Sequence, residues 1–279
     1  MQPTSYEIKK AAKNALSSRW PEAILVFVSF ISVCLLNIYS QALLMSVFKV
    51  ESVWSPLYPA ELPKLNVIAS IGITVFSALF SLLITAPFAL GMLKWFWSFT
   101  NQSNAKLYEV FHFFSSGKLF RKAVSFGLNI YIRIIITAIV CLAPYIMCNV
   151  LQSPTFYELL GAETPPAASA LYAAADFLKL LGVLATLALS SKYLLFGAPV
   201  FSQPELTAWQ AIKMARKVSR GETLKLLGFL LSFAWWAALS LLIVPLIFVG
   251  PYFISCISIY SRETIREYEQ KEEILKNLN

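Results

Sequence analysis

The chain has 279 residues, of which 58% are hydrophobic and only 14% are charged. Soluble domains carry about 25% charged residues, so this composition excludes an ordinary globular protein and indicates an integral membrane protein. The net charge is +8. The Lys and Arg residues lie mainly in short segments between apolar runs, which is typical of topology signals in membrane proteins. We therefore expect the lipid bilayer, and no nucleic acid, as the partner.

Apolar runs along the chain predict an all-α polytopic membrane protein with about six transmembrane helices, since about 20 helical residues cross a bilayer. The predicted spans are residues 22–46, 67–97, 123–151, 171–200, 224–244 and 246–260. The last two form one apolar run that Pro245, Gly250 and Pro251 interrupt, because proline cannot continue the helical hydrogen-bond ladder. We interpret this run as a tight helical hairpin, with a re-entrant segment as the alternative. A charged helix over 261–275 is expected to follow.

The distribution of basic residues predicts the orientation. Of the 23 Lys and Arg residues, 18 lie on one predicted side of the membrane: before the first span, in 94–122, in 201–225 or after the last span. Two lie in the loops on the other side, and three lie inside spans. The positive-inside rule then places both termini on the cytoplasmic side. The intervening loops, 49–66 and 152–170, are short and contain proline. We therefore treat residues 1–279 as a single integral membrane domain.

Three of the inner segments share a pattern of an amphipathic helix, a serine-containing turn and a span. Aligning Ser17, Ser115 and Ser219 gives spacings of 98 and 104 residues. This pattern predicts three parallel repeats, 1–97, 98–200 and 201–279, each an interfacial elbow helix followed by a transmembrane hairpin. The alternative is convergence, because any elbow helix before a span needs apolar, basic and capping residues.

Ionisable residues inside spans are costly and are therefore candidates for function. Arg133 and Lys192 lie at similar depths from the inner side, each about 16 Å along a helix from the flanking polar segment. No acid lies at that depth, so together they form a candidate site for an anion or an anionic lipid. The alternative is that both side chains snorkel to the interface. Asp176 and Lys179 lie near the outer end of their span and can pair, which weakens a proton-coupled transport hypothesis.

No signature of enzyme chemistry is present. The chain has no phosphate-binding loop, no His-Glu-x-x-His motif and no nucleophile elbow. His112 is the only histidine and the four cysteines lie inside apolar runs, so no metal site is predicted. We expect no catalytic residues, no metal and no cofactor, and we predict that the protein is not an enzyme.

Several segments resemble the bacterial integral membrane proteins grouped as domain of unknown function 975. The similar segments are residues 7–20, 87–91, 204–212 with Arg216, Lys217 and Gly221, 232–236, and Pro251 with Tyr252. The sequence departs from that family's pattern at Ser18, Ala215, Glu222 and Thr223. The resemblance implies a multi-pass protein of the bacterial cytoplasmic membrane, and it implies no particular activity.

Two functional hypotheses remain open. The first is a membrane transport or export component with a polar pathway lined by Arg133, Lys192, Asn129 and Ser191. The second is a non-catalytic membrane scaffold or a protein that interacts with anionic lipids. The sequence identifies no protein partner.

Overall fold

The computed structural model describes residues 4–50, 64–101, 105–152, 169–191, 193, 205–219, 222–240 and 243–277, and the regular structure in these ranges is entirely helical. The elements are α1 (Ser5–Leu16), α2 (Trp20–Val47), α3 (Lys64–Phe80), a π-helix (Ser81–Thr85), α4 (Ala86–Thr100), a 3-10 helix (Leu107–Phe114), α5 (Gly117–Gln152), α6 (Ser169–Ser190), α7 (Ala208–Val218), α8 (Thr223–Leu231), α9 (Ala234–Leu239) and α10 (Ile243–Asn277).

Four helical stretches in the described ranges are long and apolar enough to cross a membrane. They are Trp20–Val47, Ile68–Thr100, Gly117–Leu151 and Val244–Lys271. Helix α6 has 22 residues and is therefore about 33 Å long. The predicted class, an all-α membrane protein, is confirmed, while the total of six spans stays a prediction.

The last apolar run is interrupted close to one of the three predicted residues. Helix α9 ends at Leu239 and α10 begins at Ile243, two residues before Pro245, whereas Gly250 and Pro251 lie inside α10 and do not break it. A further interruption lies at Ser232 and Phe233, between α8 and α9. Helix α8 has nine residues, or about 14 Å, which is too short by itself to cross a hydrocarbon core of about 30 Å. The hairpin of two spans stays a prediction.

Close packing explains why α10 tolerates this composition. A Cβ atom on Gly250 would lie 2.0 Å from the Phe27 ring of α2, so the glycine is needed for contact between the two helices. Proline is accepted inside membrane helices where neighbouring groups satisfy the freed carbonyl. Pro251 is fully buried among its neighbours. Gly250 and Pro251 thus mark a helix–helix contact and not a turn.

Helices α1 and α7 and the 3-10 helix lie at one end of the molecule, which we call the basic end. Helix α10 lies at the centre of this end. Its buried residues pack against α1 and α8 in one cluster, and against α7 in another. The first cluster contains Ile8, Ala12, Leu226, Phe229, Phe233, Cys256, Ile257 and Tyr260, and the second contains Val218 and Ile265.

The aromatic core of the basic end lies between α2 and α4. Trp95, Phe96 and Phe99 are buried together, and the Trp95 and Phe99 rings stack with their centroids 4.8 Å apart. The 3-10 helix lies directly on α4, because a Cβ atom on Gly91 would be 1.8 Å from the carbonyl oxygen of Val110. This core holds the first two elbow segments against the spans.

The three serines aligned in the sequence occupy equivalent positions at the ends of the elbow helices. Each hydroxyl donates to the carbonyl three residues earlier: Ser17 to Asn14 at 2.7 Å, Ser115 to His112 at 2.7 Å and Ser219 to Arg216 at 3.3 Å. This shared geometry satisfies carbonyls that a helix end leaves free. The three-repeat organisation itself stays a prediction.

Candidate functional site

A cavity of about 340 Å³ lies between α5 and α7 at the basic end. It is lined by one residue of α5, Arg133, and four residues of α7, Trp209, Lys213, Arg216 and Lys217. We call it the basic cavity. Of the described side chains that line it, four are cationic and one is a tryptophan, so their chemistry favours an anion.

The amphipathic pattern of α7 creates one wall of the basic cavity. Thr207 caps the helix by accepting from the Gln210 N–H at 3.3 Å. One face of α7 is buried against α4 and α5 through Ala208, Ala211, Ile212 and Ala215. The lining residues recur at spacings of three and four on the opposite face, which places them on one side of a helix.

Arg133 reaches the basic cavity from inside the predicted third span. It lies ten residues beyond the buried Ala123, or about 15 Å along α5. Its guanidinium carbon is 5.2 Å from the centre of the Trp209 ring, which is a cation–π contact. The side chain therefore ends on α7 and completes a cationic cluster there. The snorkelling alternative stays a prediction.

The basic cavity carries an uncompensated positive charge. The ion pairs formed by described residues are Arg19 with Glu22, Lys225 with Glu222 and Arg266 with Glu263. None of them involves a described residue that lines the cavity, and no acid is among those lining residues. Like charges held close together repel, and a bound anion would relieve that repulsion through charge-assisted hydrogen bonds.

The structure places the predicted site residues as follows. Arg133 lines the basic cavity, whereas Lys192 lies outside the described residues, so the predicted Arg133–Lys192 pair stays a prediction. Asn129 donates to the Ser125 carbonyl of its own helix at 2.8 Å. Ser191 is buried and donates to the Ala188 carbonyl at 2.6 Å. The polar pathway through Asn129 and Ser191 also stays a prediction.

Sequence reasoning missed the partners that Arg133 has in the structure. From the sequence, these partners were placed in an elbow helix, in the topology signal and in segments that resemble the family, and not in a site. They are Trp209, Lys213, Arg216 and Lys217. Their recurrence opposite the apolar face of α7 was a usable signal for a cationic surface. Nothing in the sequence indicated that this surface faces Arg133, because that contact depends on how α7 packs against α5.

The predicted pair of Asp176 with Lys179 is not formed. Asp176 and Lys179 are both exposed on α6, and Asp176 has no ion pair among the described residues. Lys179 instead lies 5.7 Å from the centre of the Tyr145 ring on α5. The described residues of α6 therefore form no charge cluster that would indicate a site.

No group of three or more metal-binding side chains comes together in the ranges that the structure describes. Cys34, Cys141, Cys148 and Cys256 are all free thiols. The expectations of no metal, no cofactor and no enzymatic activity stay predictions.

A family model described as a protein of unknown function, DUF975, matches residues 1–268 of the chain. Comparisons with curated proteins and with solved structures gave no match. The match covers every element described above that lines the basic cavity.

Proposed function

The chain belongs to the DUF975 family of proteins of unknown function, and from the geometry of its own basic cavity we propose that it is a non-catalytic membrane protein that binds anionic lipid. The ligand is the phosphate headgroup of an anionic phospholipid in the cytoplasmic leaflet. The observation that carries the proposal is the convergence of four basic side chains on one cavity at the basic end, with no acid among the described residues that line it. The four are Arg133, Lys213, Arg216 and Lys217.

The side chains of the basic cavity suit a lipid phosphate. Arginine matches phosphate through paired donors, and lysine adds mobile point charges. Trp209, which is 59% exposed, has the amphipathic ring that favours the headgroup region of a bilayer. The volume of about 340 Å³ lies in the range of small-molecule sites. Clusters of Lys and Arg next to a span are typical of anionic-lipid binding.

The charge distribution supports the cytoplasmic leaflet as the source of the lipid. The positive-inside rule assigns the basic end to the cytoplasm, as the location of 18 of 23 basic residues predicts. Anionic lipids give that leaflet a negative surface potential, and each nearby Lys or Arg contributes about 1 kcal/mol of attraction. We therefore propose a multi-pass protein of the cytoplasmic membrane with both termini inside.

The transport hypothesis receives less support from the described residues. A pathway needs polar groups that face one another across the bundle, whereas Asn129 and Ser191 each bond to a carbonyl of their own helix. Such bonds satisfy one donor of the side chain locally, and no described residue of another helix bonds to either side chain. Lipid binding at the basic end requires no such pathway.

The test measures lipid retention by the full-length protein. The protein is purified in nanodiscs of phosphatidylcholine with added phosphatidylglycerol, and the lipid that remains bound after detergent exchange is quantified by native mass spectrometry. The triple substitution K213Q/R216Q/K217Q is expected to lower retained phosphatidylglycerol at least tenfold, because about 3 kcal/mol of attraction is removed.

The matched control is K118Q/R121Q/K271Q, which removes the same charge from exposed positions outside the basic cavity. This control is expected to retain phosphatidylglycerol like the wild type. Equal loss in the two triple variants would mean a diffuse surface attraction and would overturn the proposed site. Equal retention of phosphatidylcholine and phosphatidylglycerol by the wild type would overturn the proposed function.

A further inference from the structure

A second cavity, of about 500 Å³, lies between α2, α3, the π-helix and α5. Its polar lining residues are Gln41, Thr74, Ser77, Ser81 and Tyr131, and the rest of the lining consists of Ala, Val, Leu and Ile side chains. We call it the amide cavity. None of the described residues that line it is ionisable at neutral pH, which distinguishes it from the basic cavity.

The amide cavity lies in the half of the bundle away from the basic end. Asn37 is 17 residues beyond Trp20 at the start of α2, or about 25 Å along the helix. Ser81 is 19 residues before the end of α4, a similar distance from the basic end. A ligand in this cavity would therefore lie far from the basic end and would not compete for the basic cavity.

A hydrogen-bonded cluster forms the floor of the amide cavity. The Asn37 amide nitrogen donates to the Ser81 hydroxyl at 2.9 Å, and the Ser77 hydroxyl donates to the Asn37 amide oxygen at 3.3 Å. Tyr131 of α5 also lines the cavity, beside Ser81. Such bonds between helices hold a membrane bundle together, which gives Asn37 a structural role.

Gln41 has no such structural role. It lies one turn beyond Asn37 on the same face of α2 and lines the amide cavity. Its side chain has no hydrogen-bond partner among the described residues, although a primary amide offers two donors and two acceptor positions. An unsatisfied amide in hydrocarbon is unfavourable. The position is therefore suited to a ligand that supplies the missing hydrogen bonds.

The backbone beside this cluster is also unusual. The Ala86 N–H donates to the Ser81 carbonyl, which is a π-helical bond five residues along the chain. Pro87 follows and has no N–H to continue the regular ladder. The wider turn places Ser81 at the cavity wall, and single π-turns inside longer helices occur frequently at functional sites.

We propose that the amide cavity binds an uncharged lipid that carries a hydroxyl or ester carbonyl group. The polar group hydrogen-bonds with the Gln41 amide, and the hydrocarbon chain lies against the apolar residues of α3 and α5, including Leu128 and Ile135. No described residue of the lining is ionisable at neutral pH, which disfavours a phosphate-bearing headgroup, because a charge removed from water needs a partner. This site is additional to the proposed phosphate site and does not depend on it.

The test uses full-length protein in phosphatidylcholine nanodiscs with a photoreactive diacylglycerol as the probe. Cross-linked peptides from α3 and α5 are identified by mass spectrometry, with and without excess unlabelled dioleoylglycerol. The substitution Q41L is expected to lower the competable labelling about fivefold, the effect of one net hydrogen bond. Its melting temperature is expected to match the wild type, because Gln41 bonds no other described residue.

The matched control is N149L, since the Asn149 amide is exposed and donates to the Tyr145 carbonyl of its own helix at 2.9 Å. This variant is expected to label like the wild type. Equal labelling of Q41L and wild type would overturn the proposal. Equally competable labelling of the same peptides by a photoreactive phosphatidylglycerol would also overturn it. So would reaction of S77C or S81C with a water-soluble thiol reagent beyond that of the four native cysteines, which would indicate a wet channel.

Discussion

Helices α10 and α5 are both long and apolar, yet they occupy opposite environments. In the most apolar stretch of α10, 44% of the residues are buried inside the protein, whereas none are buried in that of α5. Helix α10 has small residues, Ser255, Cys256 and Ser258, where neighbouring helices approach it. Helix α5 exposes Ile135, Ile136 and other branched side chains. Apolar character therefore indicates a membrane protein, but small residues at contact positions distinguish protein-facing from lipid-facing helices.

Truncating one isoleucine on each helix tests this comparison most directly. Ile257 on α10 is 4% exposed and Ile136 on α5 is 56% exposed. We expect I257A to lower the free energy of unfolding by about 3 kcal/mol, because it leaves a cavity in a packed core. We expect I136A to change it by less than about 0.5 kcal/mol, since lipid fills the space. Denaturant titration in detergent micelles measures both, and equal losses would contradict the assignment of α10 as the core helix.

Replacing an arginine on each helix separates a structural cation from a ligand-binding one. Arg262 of α10 is buried, donates to the Trp97 carbonyl at 2.8 Å and to the Thr100 carbonyl at 3.2 Å, and stacks on Trp97. We expect R262A to destabilise the fold by about 2 kcal/mol, because it removes charged hydrogen bonds that satisfy the end of α4. We expect R133A to leave thermal stability unchanged and to lower phosphatidylglycerol retention. The comparison would fail if R133A were the more destabilising variant.

Adding a side chain to a glycine tests the contact between α10 and α2. A Cβ atom on Gly250 would overlap the Phe27 ring, whereas Gly72 on α3 has no atom within 4 Å of the equivalent position. We expect G250V to cost about 1–3 kcal/mol through overpacking and G72V to cost nothing measurable. Thermal unfolding of the two variants, followed by circular dichroism, gives the difference. A tolerated valine at 250 would show that α10 and α2 are not in close contact.

The smallest expected effect concerns pH at the basic end. Burial lowers the pKa of His112, the nearby Lys94 lowers it further, and Glu109 opposes the shift. The unfolded state then binds the proton more readily than the folded state, so stability is retained above about pH 6.5 and falls as the pH drops below that value. We expect the melting temperature to fall slightly between pH 7.5 and 5.5, and H112Q to remove that part of the change. A histidine titration above pH 6.5 by nuclear magnetic resonance would contradict the shift.

The candidate site shows which of its residues can be predicted from the sequence and which cannot. Arg133 was identified because a cation inside an apolar run is costly wherever the chain folds. Its partners on α7 are about 80 residues away in sequence, and no local pattern relates the two. The role of Gly250 and Pro251 was predicted wrongly for a similar reason. These residues resemble a turn locally, and only the packing of α10 against α2 explains why they lie inside a helix.

The sequence by itself determined the membrane class, the clustering of basic residues and the three serine-capped elbow helices. These features follow from composition and from hydrogen bonds between residues three or four apart, which are local properties. The tertiary structure alone decided that α10 is the buried core helix, that Arg133 faces the basic surface of α7, and that the Gln41 amide has no partner within the described chain. Those outcomes depend on contacts between distant segments, and the hydrophobic effect that drives insertion does not select among them inside a bilayer.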